Sequence, residues 1–208
     1  MTMGVKLIAG GLAAAAIAIA AQAAAPAAGP SNDPKTVQGG KFTLEPTHTQ
    51  VLFNVSHLGL STWYGNFHGA SGSLTLDPAK PASSSVQISI PTDSVSTIND
   101  TLNKELKSDA WLDAGKYPKI TFSSTKVTPT GPGKADVMGN LTLHGVTKPV
   151  TLKVSFLAAG ANAMNKKYTV GFDATAKFKR SDFGVKTYLP MIGDDVSVTI
   201  SAPFEQGS

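Results

Sequence analysis

Val150-Thr151-Leu152-Lys153-Val154-Ser155-Phe156 alternates apolar and polar side chains at every step. Successive side chains of a β-strand point to opposite faces, so this run predicts a strand with one face buried and the other in water. The same period of two recurs outward: Leu141 and Leu143 before it, Val170, Phe172 and Ala174 after it. Further off come Val51, Phe53 and Val55; Leu74 and Leu76; Val86, Ile88 and Ile90; Ile120 and Phe122; Val196, Val198 and Ile200. Turn-forming stretches separate them: Asp77-Pro78, Pro129-Thr130-Gly131-Pro132-Gly133, His144-Gly145-Val146-Thr147 and Gly160-Ala161-Asn162. Such spacing predicts antiparallel hairpins. One segment, Asn99 to Trp111, breaks the rhythm, with Leu102, Leu106 and Ala110 four residues apart behind the cap residues Asn99 and Asp100; it predicts a short helix across one end of the sheet. The reading is an all-β fold, an antiparallel β-barrel of about eight strands with one short helix. Eight strands close around room for one slender ligand. A two-sheet sandwich is the alternative.

Ahead of this pattern, Lys6, the apolar run Leu7 to Ala21 and the small-x-small site Ala21-Gln22-Ala23 predict a signal peptide over residues 1–23. The apolar run is shorter than the roughly 20 residues of a membrane span. Residues 24–40, rich in Ala, Pro and Gly, are expected to form a flexible leader, with the barrel domain over 41–206. Export is expected. With no cysteine, neither a disulfide nor a lipoprotein anchor can form, and stability must come from burial and hydrogen-bond ladders. A formal charge of +4 is too mild for a nucleic-acid partner.

Catalytic and metal chemistry find little footing. His48, His57, His68 and His144 lack ligand spacing, so no metal site is expected. Gly69-Ala70-Ser71-Gly72-Ser73 misses the nucleophile-elbow pattern, and Asp182-Phe183-Gly184 has no accompanying nucleotide loop. Neither a catalytic residue nor a cofactor is predicted. An enzyme using His57, Ser71 and Asp182 is one rival reading, and an interaction or stress-response protein with a filled barrel is the other.

Several motifs fall together in order: Phe53-Asn54-Val55-Ser56-His57-Leu58-Gly59, Gly65-Asn66-Phe67, Lys116-Tyr117-Pro118, Ile120-Thr121-Phe122, Gly139-Asn140-Leu141-Thr142-Leu143-His144-Gly145-Val146-Thr147-Lys148-Pro149-Val150, and Lys179-Arg180-Ser181-Asp182-Phe183-Gly184. From about Phe42 to Phe204 the chain resembles the YceI-like proteins, periplasmic polyisoprenoid-binding proteins with an extended, lipocalin-like barrel. The resemblance implies a long prenyl lipid, such as a quinone tail, as the bound ligand and partner. Where many relatives carry Arg-Asp before the helix's Leu106, this chain has Asn103-Lys104-Glu105.

Lipid-wall candidates are the inward aromatic and aliphatic residues Phe53, Val55, Phe67, Leu74, Phe122, Leu143, Val170 and Phe172. Ordinary core packing explains each of them equally well. His57 is either a structural histidine or a headgroup contact. His144 is expected to bond nearby backbone, and Arg180 to pair with Asp182 at the last hairpin. Lys166, Lys167, Lys177, Lys179, Arg180 and Lys186 suggest a basic rim for transient contact with a membrane surface, or else a solvated face. A homodimer is left open by the pattern.

Overall fold

The central run quoted above lies within β8 (Val146–Ala161), the longest of ten strands. The others are β1 (Gly40–Leu44), β2 (Gln50–His57), β3 (Ser61–Phe67), β4 (Ser71–Leu76), β5 (Ser85–Pro91), β6 (Lys119–Gly131), β7 (Lys134–Leu143), β9 (Tyr168–Lys179) and β10 (Asp195–Gln206). One α-helix among the described residues, α1 (Asp100–Lys107), precedes β6. This computed structural model describes residues 29–207, so the expected signal peptide and the first residues of the expected leader lie outside the described residues.

Every pairing is antiparallel, in the order β1-β4-β5-β6-β7-β8-β9-β10, and β10 returns to β1 to close an eight-stranded barrel. Closure excludes the sandwich. β2 and β3 are extra: β2 pairs with β10 beyond the end of β1, from Gln50 opposite Ser201 to Asn54 opposite Ser197. β1 and β2 thus run in line along β10, interrupted at residues 45–49, and β3 and β4 follow in line beside them. Pro203 sits at that interruption, where its missing N–H costs no ladder bond and its carbonyl accepts from the Glu45 amide at 2.9 Å.

The strands run further than the turn chemistry suggested. Pro129, Thr130 and Gly131 belong to β6, and Gly160 and Ala161 to β8. Beyond Ser123, β6 has no partner on its β5 side, so a proline there breaks no bond. His144-Gly145 does form a turn: both residues have positive φ, 50° and 74°, as a two-residue hairpin between twisted strands requires. The helix is shorter than expected. Asn99 caps it by accepting from the Leu102 amide, and it ends at Ser108, whose hydroxyl bonds the Glu105 carbonyl at 2.6 Å; Ala110 lies in the following turns.

The barrel has two unlike ends. The helix end gathers the β2–β3 turn, α1, the β7–β8 turn and the β9–β10 connection. At the other, the strap end, lie the β4–β5, β6–β7 and β8–β9 loops and the chain before β1. That preceding chain is bound to the barrel rather than loose. Ser31 and Ala159 exchange two backbone bonds of 2.8 Å, the Tyr168 hydroxyl accepts from the Gln38 amide, and Val37 packs on the core. Its Ala-Pro-Gly composition concealed these contacts, because strap residues are held by barrel edges distant in sequence.

Candidate functional site

The inward faces of the strands do not meet. They surround a cavity of about 710 Å³, lined almost wholly by aliphatic and aromatic side chains and bordered by residues of both barrel ends. That volume lies within the roughly 300–1,000 Å³ range of ligand pockets. A barrel filled by its own side chains is therefore not what this sequence builds.

Of the eight wall candidates, Phe53, Val55, Phe67, Leu74, Phe122, Leu143 and Phe172 line the cavity. Val170 does not. It is fully buried in the cluster of Phe42, Leu74 and Phe204, and its cross-strand partner Phe204 takes a place on the wall instead. Alternation marked the buried face of β9 without showing which of its residues neighbouring rings would cover.

Two glycines let the large rings lie flat along the wall. Gly65 is opposite Phe53 in the β2–β3 ladder, and a Cβ there would run into the Phe53 ring. Gly139 likewise makes room for Phe122. The rings then contact one another: Phe53 and Phe67 are 5.4 Å apart between centroids, and Phe172 stands edge-on to Phe156 at 6.0 Å, within the favourable range for aromatic pairs.

Polar groups border the cavity mainly at the helix end. There Glu105 accepts from the Trp111 indole N–H at 3.0 Å, and the Arg180 guanidinium lies over the Trp111 ring at 5.2 Å. Arg180 is 4% exposed. Burial pushes its guanidinium pKa down, and the charge of Asp194 opposes that shift. Asp182 is exposed and takes no part, which corrects the expected Arg180–Asp182 pair. Instead Nε, Nη1 and Nη2 of Arg180 donate to the carbonyls of Gly193, Val185 and Ile192 at 2.9, 3.1 and 2.9 Å. One side chain thus holds the whole β9–β10 connection against the barrel, since a buried guanidinium must find acceptors. Asp194 closes the same corner by accepting from the Ser181 amide and hydroxyl. Desolvation raises its carboxyl pKa, but those bonds outweigh it, and the net shift is downward.

Asn103 lies on α1. Its Oδ1 accepts from the amide and hydroxyl of Thr97 at 2.6 and 2.8 Å, fastening α1 to the chain that leads into it. Lys104, beside it, is exposed.

His57 borders the cavity beside Trp63, with ring centroids 6.1 Å apart. His144 reaches across the fold to the Phe183 carbonyl at 3.2 Å and stands edge-on to Tyr117, so its partner is distant in sequence rather than local. His48 pairs with Glu45 at 2.6 Å. Ser71 lies exposed on β4, and its hydroxyl faces the Ser89 carbonyl. The fold therefore does not bring His57, Ser71 and Asp182 together. No group of three metal-ligating side chains occurs among the described residues.

The expected basic rim is not one surface. Lys166 and Lys167 lie at the strap end, while Lys177, Lys179 and Lys186 lie at the helix end, separated by β9 at about 3.4 Å per residue. Lys167 pairs with Glu205, Lys177 with Asp195 and Lys179 with Asp194.

Among sequence motifs, nothing periodic marked Trp63, Tyr64, Trp111, Arg180 or Tyr188, yet all five border the cavity. Trp63 and Tyr64 lie within the short edge strand β3, and the other three in irregular connections, where only tertiary contacts fix direction. An aromatic residue beside a turn was the one available signal.

A closed antiparallel barrel, hollow around an apolar interior and capped by one helix, defines the class: a small barrel of the ligand-enclosing kind. More specifically, the chain belongs to the YceI-like family, whose domain model matches residues 42–204. It is 40% identical over 161 residues to a UPF0312 protein of Pseudomonas paraeruginosa, covering 77% of this chain and 83% of the relative. Protein YceI of Escherichia coli matches with the same identity and coverage. Among solved structures, Burkholderia cenocepacia BcnA is similar with a TM-score of 0.70 at 28% identity, covering 77% of this chain and 98% of that one. A protein from Saccharophagus degradans, described as a polyisoprenoid binding domain implicated in plant cell wall breakdown, shares the fold with a TM-score of 0.62 at 18% identity, covering 82% of this chain and 100% of its own.

Proposed function

We propose that this protein binds a long-chain polyisoprenoid, such as a quinone tail or related prenyl lipid, inside its barrel and carries or stores it in the periplasm without altering it. The observation that carries this reading is the apolar cavity of about 710 Å³. Burial of each CH₂ contributes about 0.8 kcal/mol, so a five-carbon prenyl unit contributes about 3 to 4. Three or four units then exceed an association cost of several kcal/mol, and the wall alone supplies affinity.

Export rests on the leader pattern of residues 1–23, and the absence of chemistry on the scatter of His57, Ser71 and Asp182. The description of the Saccharophagus degradans domain agrees in ligand class, although its likeness to this chain extends to the fold alone. No metal or organic cofactor enters this function.

Protein purified from an exporting bacterium and extracted with organic solvent should yield a prenyl lipid by mass spectrometry. Ala176→Trp, which adds a bulky ring to the cavity wall, should abolish that recovery while the fold persists by circular dichroism. Empty wild-type protein that also fails to take up added prenyl lipid from detergent would refute the reading.

A further inference from the structure

Large apolar side chains left in water are not spread evenly over this molecule. Leu58, Leu60, Tyr64, Ile98, Tyr188 and Met191 are all exposed and all belong to the helix end; Leu60 and Ile98 are 87% and 98% exposed. The remainder lie singly on the outer wall or, in Met164, at the strap end.

These six residues converge. Leu58 and Leu60 flank Gly59 in the β2–β3 turn, and the Leu58 amide donates to the Met191 carbonyl at 2.8 Å. His57 bridges Ile192, and the Ile192 amide donates to the Tyr188 carbonyl at 2.8 Å. The isolated antiparallel bridge between Asn66 and Ser96 brings the chain that carries Ile98 beside β3, which carries Tyr64. Tyr64 and Tyr188 also border the cavity, as do Thr97 and Asn99 on either side of Ile98. Through Tyr64 and Tyr188, which are exposed and also border the cavity, the outside patch meets the inside wall at the rim of the barrel.

From this continuity we infer that the helix end docks shallowly on the surface of a lipid bilayer, with Leu58, Leu60, Ile98 and Met191 entering the acyl boundary and Tyr64 and Tyr188 at headgroup level. This rests on the prenyl-lipid reading above: such a lipid dissolves in bilayers, and a rim joined to the cavity wall lets it pass without crossing water. Tyrosine suits an interface because its ring is apolar and its hydroxyl wet. Charge is not the driving term, since Lys177 and Lys179 at this end are paired with Asp195 and Asp194, and the exposed Lys104, Lys107 and Lys186 share it with the exposed Asp100, Asp109 and Asp182. Docking should therefore persist in salt, unlike binding through a polybasic patch.

Flotation of the exported protein with vesicles of pure phosphatidylcholine tests this. We expect wild type to float with the vesicles, equally at about 0.1 and about 0.5 M salt. The Leu60→Asp/Ile98→Asp double variant should lose roughly tenfold or more of that association, because charge opposes insertion at the acyl boundary. Met164→Asp, at the strap end with the same N-terminus, should float like wild type. Both altered side chains of the double variant are almost fully in water, so folding is retained and is checked by circular dichroism.

The inference is overturned if the double variant floats as well as wild type, if salt releases the wild type, or if wild type stays off the vesicles while sedimentation shows a dimer that the double variant cannot form. Uptake of a prenyl lipid from detergent separates the two readings. Normal uptake by the double variant, with slowed uptake from vesicles, places the defect in docking; failure of wild type to take up lipid from detergent, with rim-dependent flotation intact, refutes the ligand and leaves the docking surface.

Discussion

The two ends of the barrel close by different physics. At the strap end the groups are polar and paired. Glu205 accepts from Lys167 at 2.9 Å and from Asn165 at 2.6 Å, and the chain before β1 is bound to β8 and β9 by backbone and tyrosine hydrogen bonds. At the helix end a single buried cation holds the connection from inside, while apolar side chains face outward. Loss of one group should therefore be severe at the helix end and graded at the strap end.

The largest effect tests that asymmetry directly. Arg180→Ala leaves the carbonyls of Gly193, Val185 and Ile192 without their donor and removes the cation from Trp111; we predict a loss of about 3 to 5 kcal/mol, within the range for breaking a buried charged network. Arg180→Lys should recover little, since an ammonium cannot reproduce the guanidinium fork. Denaturant midpoints measure both, and a loss below about 1 kcal/mol for Arg180→Ala would remove the distinction between the ends.

Next comes the wall between the ends. Gly139→Ala places a methyl group where the Phe122 ring lies, and we predict a cost of about 1 to 3 kcal/mol from overpacking. An unchanged midpoint would mean that the ring swings into the cavity and that the Ser123 carbonyl, which the methyl would also meet, yields with it.

The strap end should respond to pH. Hydrogen bonds from Lys167 and then Asn165 hold the Glu205 carboxyl below the usual carboxylate range, against the opposing effect of desolvation. A carboxyl lowered in the folded state contributes its full stability above its unfolded pKa and loses it as pH falls through the folded value. Stability should accordingly decline on acidification from the ordinary glutamate range downward, and Glu205→Gln should flatten that decline while leaving the helix end unchanged. Thermal unfolding across acidic pH checks this; identical acid slopes for both proteins would show that Glu205 does not govern the strap end.

The smallest effect comes from Tyr168→Phe, which deletes the acceptor for the Gln38 amide at an exposed site. We expect about 0.5 to 1 kcal/mol, with faster amide exchange at Gln38 as the more sensitive measurement.

Much of this fold was legible residue by residue. Period-two alternation located β2 and β4 to β10 but not the short β3 or β1, the strand on which the barrel closes, and Asn99 marked the start of the helix it caps. The site was legible as far as alternation reaches: Phe53, Val55, Phe67, Leu74, Phe122, Leu143 and Phe172 reach the cavity, but Val170 has the same pattern and does not. Alternation reports which face is buried and carries no information about whether neighbouring rings or empty space lie against it. The lysines on either side of and within β9 looked like one cluster because they are close in sequence, and a strand of twelve residues carries them to opposite ends.

Local chemistry by itself determined most of the strands, several of their turns and the helix start, because side-chain alternation, backbone φ preference and capping act within a few residues of chain. The closure of β10 on β1, the hollow it encloses, the hold of Arg180 on three distant carbonyls and the joining of Leu60, Ile98 and Tyr188 into one rim were decided only in three dimensions. Each brings together residues far apart in the chain, and what joins them is the shape left when the sheet curves shut.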